Sequence, residues 1–156
     1  MLLPAGIEDR TLVLVNPPLF FFAQQIPPVR FLNGQSVPGT LRMLAPGDQK
    51  VRLTRIDENS LKISTTDGWI TSPFDDVFRG PDVRMSPGDT IRLEGMRVEI
   101  VRTTPDGRPA EAIFLFNLPL ESGQFYWMKW EDGGYVPFGL PPPGATVEIS
   151  AFDFFS

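Results

Sequence analysis

Apolar residues recur at every second position along most of the chain, and the parity of that alternation slips at short polar turns. Between 90 and 101, Ile91 and Leu93 share one face. Met96, Val98 and Ile100 then take over, with Arg92, Glu94, Arg97 and Glu99 on the opposite side. A one-residue slip at Glu94-Gly95 is what a two-residue hairpin produces, with Leu93 facing Met96 across it. The pattern predicts a primed turn there, with Gly95 at positive φ. A second turn is predicted at Thr104–Pro109, because Pro presets φ while Asp and Gly tolerate left-handed backbone. It leads into 110–120, which is apolar on both faces from Ile113 to Phe116, the mark of a central strand covered on both sides.

The same grammar runs through the rest of the chain. KVRLTRI (50–56) and SLKIST (60–65) flank Asp57-Glu58-Asn59, and FYWMKW (125–130) and YVPFGL (135–140) flank Glu131–Gly134. TLVLV (11–15) opens the fold and TVEISAF (146–152) closes it. About ten short strands at a spacing of roughly 8–12 residues predict an all-β fold, an antiparallel sandwich or distorted barrel built from hairpins. It is expected as one domain over 1–156, with 1–9 and 151–156 peripheral. The one helical turn expected is at 72–80, where Ser72 can cap and Pro73 can take the first position. The prolines of NPPLFFFAQQIPPVRF (16–31) predict an extended or polyproline path running along the sheet.

Pro-Gly occurs before three of the alternating runs, in APGDQKVRL (45–53), SPGDTIRL (86–93) and PPGATVEI (142–149). Turn chemistry accounts for the phrase, since Pro and Gly punctuate strands. The stretches 46–63 and 87–100 resemble each other enough to raise a duplicated hairpin, but hairpin signals converge easily. A phosphate-binding loop would need a helix N-terminus directly after the glycine, and no helix pattern follows.

Composition narrows the chemistry. With 17 Pro and 14 Gly in 156 residues, long helices have little room. Apolar residues make up 42%, including 13 Phe and 3 Trp, which is enough for a packed core. A net charge of −5 without a basic stretch argues against a nucleic-acid partner. The chain holds neither Cys nor His, so thiolate nucleophiles, zinc–thiolate sites, imidazole ligands and Ser-His-Asp catalysis have no residues to use. No cofactor motif is evident. The apolar stretch 11–26 is broken by Asn16-Pro17-Pro18 and is shorter than a membrane span, so the chain is expected to be soluble as it stands. Met1-Leu2-Leu3 lacks the basic and apolar regions of a signal peptide.

Candidate sites remain. Asp75, Asp76 and Asp82 gather oxygens of the kind calcium takes, but their spacing fits no EF-hand, and acids beside Pro and Gly usually cap turns. The acidic pairs Asp57-Glu58, Asp75-Asp76 and Glu131-Asp132 are adjacent in sequence. Strand neighbours point to opposite faces, so no catalytic carboxylate pair is expected and the chain reads as a non-enzyme. An opposed pair from distant segments, such as Asp76 and Glu111, would change that. In 125–130, Phe125, Trp127 and Lys129 share one face and Tyr126, Met128 and Trp130 the other. One face must be core, so Tyr126, Trp127, Trp130 and Tyr135 form a candidate aromatic surface for a sugar ring or a partner protein. The simpler account is that Tyr135 pairs with Trp130 across the hairpin. Phe20, Phe21 and Phe22 cannot all point one way, which makes Phe21 and Phe22 further candidates for contact with a neighbouring domain or a membrane surface.

The phrases VLVNPP, LRMLAPGDQKVRLTRIDENSLKI, VFRGPD, SPGDTIRLEGMRVEIVRTTPDGRPAEAIFLFNLPL and WEDGGYVPFGLPPPGATVEI together resemble the C-terminal soluble domain of a group of uncharacterised bacterial multi-pass membrane proteins. The resemblance covers about residues 10 to 150 and carries over no catalytic residue. It implies a domain excised from a larger bacterial membrane protein, with membrane helices preceding Met1 in the parent. The expected function is that of a non-catalytic envelope domain serving in interaction or structure. Its expected partner is the membrane-embedded part of its own parent chain or another envelope protein. A carbohydrate-binding module is the alternative.

Overall fold

A computed structural model of the chain describes residues 1–18, 23–69 and 85–151. Ten strands occur in these residues: β1 (Thr11–Leu14), β2 (Thr40–Met43), β3 (Val51–Arg55), β4 (Ser60–Thr65), β5 (Thr90–Leu93), β6 (Met96–Thr103), β7 (Pro109–Phe116), β8 (Phe125–Glu131), β9 (Gly134–Pro137) and β10 (Thr146–Ile149). They form two open sheets. One has six antiparallel strands in the order β10-β3-β4-β7-β6-β5, and the other has four in the order β2-β1-β8-β9. The expected all-β sandwich is the observed fold.

The sheets pack face to face because strand alternation gives each an apolar inner surface. Val51, Leu53, Leu61, Ile63, Val98, Ile100, Ala112, Phe114 and Phe116 of the larger sheet meet Val13, Phe125 and Trp127 of the smaller one. Phe116, Phe125 and Trp127 contact one another edge to face, with ring centroids 5.2–6.2 Å apart, the geometry that aromatic quadrupoles favour. The smaller sheet is covered on its other side as well. There Leu12, Leu14 and Met128 bury themselves under Leu3, Ala23 and Ile26.

Three details differ from the sequence expectation. First, β1 pairs in parallel with both β2 and β8, whereas an antiparallel arrangement was expected throughout. Second, Ile26–Leu32 forms a helix, α1, within the segment expected to be extended. Its prolines lie in the first turn, where the missing N–H groups would have had no partner in any case. The helical turn expected at 72–80 lies outside the described residues. Third, the turn joining β5 and β6 has the predicted Leu93–Met96 register and Gly95 at φ 76°, but Glu94 is not at positive φ. That combination belongs to a type II turn rather than a primed one. A primed turn is found instead between β8 and β9, at Asp132 (φ 50°) and Gly133 (φ 83°). The strand β7 is central, as its sequence implied, with Phe114 and Phe116 buried on one face. Ile113 and Leu115 on the other face are only half-buried, so the expected cover on both sides is incomplete.

Candidate functional site

The aromatic run of β8 was the leading candidate, and the structure places Phe125 and Trp127 inside while Tyr126 and Trp130 are half-buried. Trp127 is 7% exposed, and its Nε1 donates to the Leu120 carbonyl at 2.8 Å. It is core and offers no stacking platform, which corrects its assignment to a ligand surface. Tyr126 faces the second apolar cluster, and the Arg10 guanidinium lies 5.4 Å from its ring centroid. Both faces of β8 are covered, one by the larger sheet and the other by the N-terminal segment. On that second face Tyr126 and Trp130 keep only part of their surface exposed. Trp130 and Tyr135 occupy paired positions on β8 and β9, their rings 5.0 Å apart at 81°. This is a cross-strand pair of the kind that stabilises hairpins, not a coplanar row. Burial pushes the Tyr135 phenol up to about 12, so it stays neutral through the physiological range.

The end of β8 is held by a polar device. Asn16 is buried, its Nδ2 donating to the Trp130 carbonyl at 3.2 Å while its Oδ1 accepts from the Trp130 N–H at 2.8 Å. The side-chain amide thus replaces a peptide group where Pro17 and Pro18 end the ladder.

Of the acidic candidates, Asp57 caps its own turn, accepting from the Asn59 N–H and the Ser60 hydroxyl, both at 2.8 Å. Those two bonds hold its carboxyl below the ordinary value of 3.8. Glu131 and Asp132 are exposed at the β8–β9 turn, with Glu131 3.5 Å from Lys129. Asp75, Asp76 and Asp82 lie outside the described residues, as do Phe20, Phe21 and Phe22. Among the described residues no three acids gather in a metal-binding arrangement.

Sequence reading missed a polar row on the outer face of the larger sheet. Glu148, Arg52, Ser64, Glu111 and Arg102 stand opposite one another across β10, β3, β4, β7 and β6. A bulge in β6 between Ile100 and Arg102 brings Arg102, rather than Val101, opposite Glu111. The row lines an open groove of ≈ 320 Å³. Glu148 lies 3.1 Å from Arg52 and 3.2 Å from Lys50, and these cations hold its carboxyl below the usual range. Glu111 accepts from Ser64 Oγ at 2.6 Å. Both acids are thus engaged by cations or a hydroxyl, and Glu148 is not the proton-bearing acid that paired-carboxylate catalysis needs. Arg55 was also missed. It is 1% exposed, with Nε on the Asp57 carbonyl, Nη1 on the Pro141 carbonyl and an ion pair to Glu121. Parity was the available signal, since Arg55 follows Val51 and Leu53 on the inward face of β3.

The remaining candidate surface is apolar. Among the described residues, five of the eight exposed large hydrophobics fall within the first 32 positions, so exposure of apolar side chains is concentrated there. Leu2 is 93%, Phe31 73% and Leu32 81% exposed, with Val29 and Met1 beside them in rank. Arg30 Nη1 donates to the Met1 carbonyl at 3.0 Å, which sets the N-terminus against α1. The segment is therefore two-sided. Leu3, Ala23 and Ile26 anchor it on the smaller sheet, and Leu2, Phe31 and Leu32 face outward.

No family model, characterised protein or solved structure matches the chain. The class is defined by the geometry itself, a two-sheet all-β sandwich with an apolar N-terminal face. No helix among the described residues is long and apolar enough to cross a membrane.

Proposed function

We propose that the chain is a non-catalytic interaction domain of a bacterial envelope protein, docking through its N-terminal apolar face onto the membrane-embedded part of its own parent chain. The observation that carries this reading is the outward exposure of Leu2, Phe31 and Leu32 on a segment whose other side is buried. Large apolar side chains left in water on an anchored segment are the mark of a surface that is covered in the working assembly. A chain of net charge −5 gains nothing from an anionic lipid surface, which favours a protein partner over the bilayer itself. The carbohydrate alternative rested on an open aromatic row, and Trp127, Trp130 and Tyr135 do not form one.

The reading frame upstream of Met1 tests the context first, and a frame without apolar helices there would remove the proposed partner. In the intact parent, a photo-crosslinking residue at position 31 should form adducts with its membrane helices, and one at Lys62 should not. Equal crosslinking from both positions, or none from 31, sinks the reading.

A further inference from the structure

Strand β2 lies at the edge of the smaller sheet, and its register settles which of its residues look inward. Val13 belongs to the core between the sheets and stands opposite Arg42, and Thr11 stands opposite Thr40. Neighbours across a sheet share a face, so Thr40 and Arg42 occupy the positions that face the larger sheet. Polar residues there leave the core unfilled. An open recess of ≈ 250 Å³ results, lined by Thr11, Thr40 and Arg42 on one side and by the Glu94–Met96 turn and Asn117 on the other. Its apolar lining comes from Met96, Phe116 and Phe125, which are buried, and from Leu118, which is exposed at the rim.

The polar groups of the recess have unused capacity. A guanidinium carries five N–H donors, and the one hydrogen bond of the Arg42 side chain among the described residues runs from Nη2 to the Glu94 carbonyl at 2.8 Å. No carboxylate forms an ion pair with it among the described residues. Burial lowers its pKa, partly offset by the Glu94 charge, so its desolvation is not fully compensated. The side chains of Thr11, Thr40 and Asn117 likewise make no hydrogen bond among the described residues. An inward charge on an edge strand can serve to block edge-to-edge pairing. That purpose explains Arg42 alone, and neither the two threonines beside it nor the aromatic lining.

We propose that this recess binds a small monocarboxylate with an apolar body. The carboxylate sits on the forked guanidinium of Arg42, within reach of the Thr11 and Thr40 hydroxyls, and the apolar body lies on Met96, Phe116 and Phe125. Planar bidentate recognition of a carboxylate is the chemistry to which an arginine fork is suited. One cation, with Glu94 on the same rim, matches a single negative charge and opposes a dianion such as phosphate. The carboxylate can come from a free acid or from the C-terminus of a peptide ending in an apolar residue. This site is independent of the N-terminal apolar face.

Titration of the ¹⁵N-labelled chain with phenylacetate, followed by amide shifts, tests the proposal. Phenylacetamide is the neutral control, and a tripeptide with a free C-terminal Phe is compared with its C-terminal amide. Phenylacetate should give saturable shifts at Arg42, Gly95, Met96 and Asn117 with a Kd of about 1 mM. The neutral amide should bind about 10-fold more weakly or worse, through loss of the charge-assisted bonds. Tighter binding of the tripeptide than of phenylacetate assigns the site to peptide C-termini, and the reverse assigns it to free acids. Arg42→Gln should weaken binding about 10-fold, and Thr40→Leu, which fills the recess and leaves Arg42 in place, should abolish it. Equal binding of acid and amide by the unaltered chain overturns the proposal. So does the absence of saturable shifts up to about 20 mM, or unchanged binding in a folded Thr40→Leu variant.

Discussion

The tripeptide Pro-Gly-Asp stands at the entrance to two hairpins, β3–β4 and β5–β6, and glycine is required for a different reason in each. At Pro46-Gly47-Asp48 the constraint is space. A methyl group on Gly47 would lie 2.5 Å from the Asn16 carbonyl oxygen and 2.7 Å from that of Pro17. The Gly47 N–H donates to the Pro17 carbonyl at 2.9 Å, which holds the two chain segments together. At Pro87-Gly88-Asp89 there is room, with nothing within 4 Å, but φ is +92°. Here the constraint is conformational. The far ends differ too, one hairpin turning in two residues at Glu94-Gly95 and the other through the Asp57 cap. One phrase in the sequence serves two physical purposes, which supports punctuation over duplication as the origin of the likeness.

The sharpest way to break this comparison is alanine at each glycine. Gly47→Ala should cost about 3 kcal/mol, because the obstacle is backbone and cannot rotate aside. Urea unfolding measures it, and a loss below about 1 kcal/mol would mean that the close approach constrains nothing. Gly88→Ala should cost about 1 kcal/mol, the left-handed backbone being its sole obstacle. Gly88→Asn should recover part of that loss, since Asn tolerates this conformation. Gly47→Asn should recover none. Equal rescue at both sites would remove the distinction.

Smaller effects separate the aspartates. Asp89 Oδ2 accepts from the Ser86 N–H at 2.8 Å, and Asp48 is exposed without a side-chain bond among the described residues. Asp89→Ala should destabilise by about 0.5–1 kcal/mol, whereas Asp48→Ala should stay within about 0.5 kcal/mol of the parent. Reversal of that order in the same unfolding assay would count against the turn geometry.

The smallest expected difference is in acid. Asp57 and Glu121 both have carboxyls held below their ordinary values in the folded chain, by the Asn59 N–H and by Arg55 respectively. Protonation therefore occurs at higher pH in the unfolded chain. The stability they contribute is complete above the ordinary values of 3.8 and 4.5, and is lost as pH falls below them. Both carboxylates are exposed, so the loss is modest. Hydrogen exchange at pH 3 should loosen amides around Asn59 before those around Arg97. Simultaneous loosening of both turns would show that the Asp57 cap contributes nothing separate.

What was legible in the sequence was local. The parity slip at Glu94-Gly95 located that hairpin to the residue, because side-chain direction alternates whatever the strand later pairs with. The Trp130–Tyr135 contact was legible for the same reason. Parallel pairing of β1 was not, since Thr11–Leu14 carries no local sign of partners 29 and 114 residues away at Thr40 and Phe125. Pro27 and Pro28 concealed α1, because two prolines suit an extended chain as well as a first helical turn. Arg55 and Arg42 are the instructive cases. Parity alone puts Arg55 inward, but the carbonyls of Asp57 and Pro141 and the carboxylate of Glu121 that meet it there come together only in the fold. The direction of Arg42 follows only once Thr11–Leu14 is known to lie beside it.

The amide of Asn16 has a consequence for the lifetime of the molecule. Asparagines age mainly by cyclising to a succinimide, in which the next residue's backbone nitrogen attacks the side-chain carbonyl after losing its proton. The next residue here is Pro17, whose nitrogen carries no hydrogen. The proline that ends the strand thereby closes the main chemical route by which its substitute peptide group would decay.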